Sequence, residues 1–202
     1  MIILVSGATR TVKKLQNNKH LGKLKTPQDG NSLPNNGIWA ADNAAYSNWD
    51  ETKFKQLLNK IYAHHNKPVF VACPDVVGNA KKTLCCFEEW EPYIHELRLN
   101  VALVLQNGQE GIGIPWHLIE AIFIGGDDEF KLGGWVKYIV PVAKERGKWV
   151  HMGRVNSLCR VKYAYDIGCN SIDGSQFSMF SDTYLPKYLR FLDFLDRQGR
   201  LF

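Results

Sequence analysis

Seven short apolar runs, at 2–5, 38–41, 69–72, 101–105, 121–124, 149–152 and 170–172, punctuate the chain. Each is rich in β-branched or aromatic residues and almost unbroken by polar ones, which is how strands buried on both faces read. Between them, apolar positions recur at helical spacing over 50–65, 79–97, 131–147 and 157–168, and again over 184–197. Asp50 before Glu51, and Ser157 after Asn156, can accept from the free N–H groups of a first helical turn and so mark helix starts. Gly147 and Gly168 stand where two of these helices must end. Alternation of this kind predicts a parallel sheet. It fits a compact or slightly incomplete (β/α)8 TIM-like barrel better than an open doubly wound sheet. Neither a Gly-x-Gly-x-x-Gly turn nor a Walker phosphate loop occurs, which counts against the two commonest nucleotide-binding forms of the open sheet.

A length of 202 residues, with 45% hydrophobic and 22% charged, describes one packed catalytic domain over 1–202 and excludes global disorder. The opening apolar run is too short for a signal-peptide core, and no stretch approaches the ~18 apolar residues of a membrane span. A soluble, cytoplasmic protein with no membrane partner is expected. The five Cys include no Cys-x-x-Cys pair, so reduced thiols and no structural zinc are expected.

The formal charge of +5 is unevenly placed. Arg10, Lys13, Lys14, Lys19, Lys23 and Lys25 face Asp29 alone within 1–37. This segment reads as a first strand plus a basic loop or arm for a polyanion, because clustered cations release the counterions of a phosphate backbone. A solvated surface loop would show the same composition.

In a barrel, catalytic groups come from the C-terminal ends of strands. Here those ends read Asp42-Asn43, Pro74-Asp75, Gln106-Asn107, Gly125-Gly126-Asp127-Asp128, Gly153-Arg154 and Asp173-Gly174. Any one could be a turn or a cap; six in succession point to a site. Asp42, Asp75 and Asp173 suit nucleophilic and acid–base work at an acetal-like carbon, recognition of amino groups, or a divalent metal. No Gly-x-Ser-x-Gly elbow occurs. The pair His64-His65 suits the end of a helix, and His151 is expected behind the site, on the strand face opposite Met152.

The order of these segments resembles the guanine transglycosylases, which exchange a nucleic-acid guanine for a 7-deazapurine. The resemblance covers 38–180, followed by a C-terminal helix within 181–202. Asp42-Asn43-Ala44-Ala45-Tyr46 is similar to that family's Asp-Ser-Gly-Gly-(Tyr/Phe) segment, and Pro74-Asp75 to its base-recognising Asp. Gln106-Asn107-Gly108, Ile124-Gly125-Gly126 and His151-Met152-Gly153 resemble its Gln-Gly-Gly, Gly-Gly and Leu-Met-Gly segments. The stretch from Gly168 to Asp173 resembles the Gly-x-Asp-x-(Phe/Ile)-Asp segment that carries the nucleophile.

The resemblance implies Asp173 as nucleophile and Asp42 as general acid/base. Asp75, Gln106, Gly125, Gly126 and Gly153 would hold the purine, and Tyr46 and Met152 would sandwich it. Arg154, with Lys13, Lys14, Lys19, Lys23 and Lys25, would meet phosphates. The partners implied are DNA or tRNA and a free 7-deazaguanine base, with no cofactor and no metal. The Cys-x-Cys-x-x-Cys zinc site of the tRNA enzymes is absent, Gly174-Ser175-Gln176 replaces Pro-Thr-Arg, and Asn43 replaces Ser. These departures resemble the short, zinc-free phage and mobile-element enzymes and favour DNA. A nucleosidase or glycosidase on the same scaffold, and a non-catalytic nucleic-acid module, are the competing expectations.

Overall fold

The computed structural model describes residues 1–30 and 32–199. In chain order its elements are β1 (Ile2–Val5), α1 (Arg10–Lys14), β2 (Leu21–Lys25), β3 (Trp39–Ala41), α2 (Glu51–Ala63), β4 (Val71–Ala72), α3 (Ala80–Glu96), β5 (Val101–Leu105), β6 (Ala121–Ile124), α4 (Asp128–Leu132), α5 (Gly134–Glu145), β7 (Trp149–Met152), α6 (Leu158–Asp166), β8 (Ser171–Asp173), α7 (Ser175–Met179) and α8 (Ser181–Gln198). All eight strands are parallel and pair in sequence order, and β8 closes onto β1 with Leu4 beside Asp173. The fold is a closed (β/α)8 barrel. No helix among the described residues is long and apolar enough to cross a membrane.

Strand alternation sorts side chains into two cores. Leu4, Leu24, Ala40, Phe70, Ala72 and Val104 point into the barrel, while Ile3, Val5, Leu103 and Ile122 point outward against the helices. The helices bury matching stripes, as α2 does with Phe54, Leu58 and Ile61. Their ends follow the local chemistry. Asp50 accepts from Lys53 N–H at 3.0 Å and Ser157 from Arg160 N–H at 3.3 Å, and Gly147 and Gly168 take φ of 70° and 99° just past α5 and α6.

The strand absent from the hydrophobic pattern is β2. Leu21-Gly22-Lys23-Leu24-Lys25 hides its apolar positions behind two lysines and a glycine. Gly22 faces inward, where a Cβ would come within 2.7 Å of the Ile38 carbonyl oxygen and of Leu4 Cδ2. The connection from β2 to β3 contains no helix, so polar side chains occupy the face that a helix would cover elsewhere.

The basic loop or arm expected over 1–37 is therefore corrected. The segment opens with the expected strand, β1, and continues as α1 and β2, all built into the barrel. Lys25 is paired with Asp29 at 2.8 Å, the two side chains being 5% and 7% exposed. Lys23 reaches the Gly7 carbonyl at 3.5 Å, and burial followed by the Lys25 charge lowers its pKa. Lys19 bridges Asp193 and Asp196 of α8 at 3.4 and 3.0 Å. Lys13 and Lys14 remain exposed. In the C-terminal segment, residues 181–198 form α8 as expected, and 200–202 lie outside the described residues.

Candidate active site

The strand ends surround one cavity of about 350 Å³, within the ~300–1,000 Å³ usual for small-ligand sites. Leu4, Leu24, Val104 and Phe123 form its apolar part, and Asp42, Asp75, Gln106, Arg154 and Asp173 bring the polar groups.

Asp42 follows β3 in a tight turn. Ala44 adopts φ 62° where the resembled family has glycine, and the backbone N–H groups of Asn43 and Ala44 bond to the Asp42 carboxyl. Burial nevertheless dominates. Together with the charges of Asp173 and Asp75 it pushes the pKa of Asp42 from 3.8 up to about 7, so this carboxyl keeps its proton close to neutrality.

Asp75, beyond β4, is held from both sides. Its Oδ1 accepts from Asn43 Nδ2 at 2.8 Å and its Oδ2 from Gln106 Nε2 at 2.7 Å. Burial raises its pKa, against these two bonds and the nearby Arg154 guanidinium. The oxygen of Gln106 is fully used, since its Oε1 accepts from both Gly78 N–H and Gly126 N–H at 2.9 Å. Gln106 orients Asp75.

Asp173 ends β8. Its Oδ1 accepts from Arg154 N–H at 3.2 Å, and its Oδ2 lies 2.8 Å from His151 Nε2. His151 Nδ1 lies 2.8 Å from Ser171 Oγ, which also accepts from the Trp149 indole N–H at 2.8 Å. An ionised Asp173 can only accept, so His151 Nε2 carries the proton toward it, and the Ser171 hydroxyl, which takes the Trp149 N–H on one lone pair, can donate to Nδ1. The ring is wedged against Phe123 and Phe70, with centroids 4.4 and 5.3 Å away. Gly174 follows with no room for a side chain, because a Cβ would lie 2.5 Å from Asn156 Oδ1 and 2.6 Å from the Val155 carbonyl oxygen. That close approach leaves glycine as the residue that fits at this position.

Arg154 sits at the mouth with φ 58°. It donates to the Gly126 carbonyl and lays its guanidinium 4.3 Å from the centroid of the Tyr46 ring. Tyr46 is 67% exposed.

Of the residues expected from sequence, Asp42, Asp75, Asp173, Gln106, Gly125, Gly153, Arg154 and Tyr46 meet at this cavity. Three expectations are corrected. Met152 is buried in the outer core and does not reach the cavity. His151 points inward instead, since register pairs it with the inward-facing Ser171. Gly126 does not line the cavity, and its N–H is already given to Gln106. Lys13, Lys14, Lys19, Lys23 and Lys25 all lie away from it. His64 and His65 contact the Pro34 and Asn35 carbonyls at 2.9 Å, tethering the loop before β3. Phe123 is a site residue that motif matching passes over, and Asn43 and His151 lie in matched segments that give them no role at the site, although inward-outward alternation along β7 and β8 would have exposed His151. Among the described residues, no group of three or more His, Cys, Asp or Glu is placed to hold a metal ion.

No protein-family model matches the chain, and no curated protein does. Among solved structures, it is similar to the phosphodiesterase PaMucR in complex with c-di-GMP, at TM-score 0.39 and 11% identity over 81% of this chain and 63% of that one. It is similar to the EAL enzyme Bd1971 in its cGMP-bound form at TM-score 0.44 and 10% identity, over 91% of this chain and 47% of that one. A third is the HpcH/HpaI aldolase from Desulfitobacterium hafniense DCB-2, at TM-score 0.44 and 8% identity over 96% and 93%. The chain spans less than two thirds of the length of the first two. Likeness at this level bears on neither substrate nor reaction.

Proposed function

We propose that this chain is an enzyme that exchanges guanine in a nucleic acid, DNA in the first place and tRNA as the alternative, for a free 7-deazaguanine base. The observation that carries this reading is the convergence of Asp42, Asp75 and Asp173 on one nucleoside-sized cavity, with Asp42 holding a proton near neutral pH. The segments that resemble the guanine transglycosylases supply all three.

In this mechanism an Asp173 oxygen attacks the anomeric carbon, the bond from that carbon to the purine nitrogen breaks, and Asp42 gives its proton to the departing purine. The sugar is then held as an ester on Asp173. The incoming base attacks the same carbon and loses its N9 proton to Asp42, which releases Asp173. A carboxylate suits this carbon because it stabilises oxocarbenium character before bonding to it. Asp75 keeps lone pairs on both oxygens after accepting from Asn43 and Gln106, enough to take the N1–H and 2-amino groups of a guanine. Phe123 and Tyr46 provide aromatic surface for the purine. The reacting nucleotide must leave its stack to reach the cavity.

The test is incorporation of labelled guanine into a guanine-containing DNA and into tRNA, run in parallel. Label entering either polymer supports the exchange and identifies the substrate. Release of guanine without added base, and with no incorporation, would make the chain a nucleosidase.

A further inference from the structure

Beyond its mouth the central cavity opens into a second, shallower basin of about 520 Å³ that shares Tyr46, Arg154 and Asn156 with it. Two further cations line this basin, Lys131 of α4 and Arg160 of α6. Lys131 is the unusual one. The residue is only 4% exposed, and its ammonium has no hydrogen-bond or ion-pair partner among the described residues. Burial, and then the Arg154 charge, lower its pKa to about 8.

The carboxylates around it are committed elsewhere or lie at the edge. Asp127 caps α4 by accepting from Phe130 N–H at 2.9 Å, Asp128 is paired with Arg160, and Glu129 is exposed. Arg154 spends one N–H on the Gly126 carbonyl, and a guanidinium carries five. Lys131 lines the basin and feels the charges of Asp173 and Asp128 without pairing with either, and the planar guanidinium forks of Arg154 and Arg160 beside it match the several oxygens of a tetrahedral anion.

We propose that Lys131, Arg154 and Arg160 form a phosphate-binding site at the rim of the central cavity, which seats the phosphate of the nucleotide whose base enters that cavity. The identity of the nucleotide rests on the function proposed above; the anion site rests on the basin alone. The phosphate can be a phosphodiester within a strand or a terminal monoester, since both present the same oxygens to the three cations.

Calorimetric titration separates the possibilities. The probes are inorganic phosphate, 5′-dGMP, deoxyguanosine, and a short single-stranded oligonucleotide without terminal phosphates. They are titrated into the full chain and into Lys131→Met, which keeps most of the stem volume and drops the charge. The variant should bind inorganic phosphate and the phosphate-bearing nucleotide probe roughly tenfold or more weakly, as expected for one lost charge-assisted contact, with deoxyguanosine affinity unchanged. Binding of the oligonucleotide but not dGMP identifies a phosphodiester, and the reverse identifies a monoester. Arg160→Gln gives the same comparison should Lys131→Met fail to fold. Equal affinities in wild type and variants, or no phosphate-dependent binding by the wild type, would overturn the site. Phosphate binding without base exchange would remove the transglycosylase reading and leave the anion site standing.

Discussion

His151 donates its Nε2 proton to Asp173 across 2.8 Å from inside the barrel wall. The imidazole is in turn fixed at its other nitrogen by Ser171, whose oxygen takes the Trp149 indole N–H. The carboxylate that we propose as nucleophile therefore has one oxygen pinned by a side chain that solvent does not reach. That ties this oxygen to the strand register, while the other is held by the Arg154 N–H of the loop after β7.

Replacing His151 with Phe removes this donor and keeps a ring between Phe70 and Phe123. The expected result is a fall in kcat of roughly 10- to 100-fold, the worth of one charge-assisted hydrogen bond, at an unchanged KM for the free base. A role in packing alone would instead lower the melting temperature with kcat intact. In the wild type, the nitrogen-15 spectrum of the imidazole should show the pattern of a ring protonated at Nε2.

Asp173→Asn keeps an acceptor for His151 and loses the nucleophile. Exchange should disappear while the fold persists. Mass spectrometry of a trapped wild-type protein–nucleic acid adduct should place the bond on Asp173; a bond on Asp42 or Asp75 would reverse the assignment.

Asp42 carries a distinct pH signature. Its folded pKa near 7 lies above the 3.8 of an ordinary carboxyl, so between those values the native state holds a proton that the unfolded chain has released. This group makes stability fall as pH rises from about 4 to about 7, with no further change outside that window. The chemistry has the same limit, because only the protonated form can discharge the purine, and single-turnover base release should decline above pH 7. Asp42→Asn should abolish exchange, raise the melting temperature at pH 8 by on the order of several degrees, and leave it nearly unchanged at pH 4.

Asp75 faces two amide donors, from Asn43 and Gln106. Asp75→Asn sets an N–H₂ against one of them, and also against the donors of a guanine edge. Mismatches of this kind cost roughly 1–3 kcal/mol each, so the KM for the free base should rise about tenfold or more, with nucleic-acid affinity little altered. An unchanged KM would reduce Asp75 to a structural carboxylate.

The lysines of the N-terminal segment divide into two groups. Lys25→Ala removes the ion-pair partner of Asp29 in a site from which both side chains are nearly excluded from water, and should destabilise the fold by roughly 3–5 kcal/mol. Lys13→Gln and Lys14→Gln should stay within about 0.5 kcal/mol of wild type. Denaturant titration of the three variants would show the split, and similar values for all of them would return β2 to the status of a solvated loop.

Six of the eight strands were legible because they are near-continuous apolar runs and β8 from Ile172 between polar neighbours, and three of the main helices because their caps are written in Asp50, Ser157, Gly147 and Gly168. β2 was not, because its outward side is served by a salt bridge and a loop instead of a helix, which leaves lysines where the pattern calls for Val or Ile. The three site carboxylates were legible as polar punctuation at strand ends. Which neighbour of Asp173 turns inward was a matter of parity. Matching a Met-Gly motif put Met152 in the cavity, whereas the pairing of β7 with β8 puts His151 there. Lys131 left no mark in the sequence, since an isolated lysine in a helix reads as solvated until its burial is known.

The joint between β3 and β4 is the thinnest in the barrel. One residue pair, Ala41 with Val71, is in register across it, and β4 is only two residues long. Beyond that point Asn43 takes over with its side chain, donating to the Cys73 carbonyl at 2.6 Å as well as to Asp75. Such a seam has the lowest local opening free energy of the ring, so its amides should exchange with deuterium ahead of those of β5 and β6. Asp42 and Asp75 flank it on opposite sides. Each transient opening therefore separates the carboxyl proposed to deliver the proton from the one proposed to recognise the base, so the readiness of the pocket depends on how seldom this seam parts.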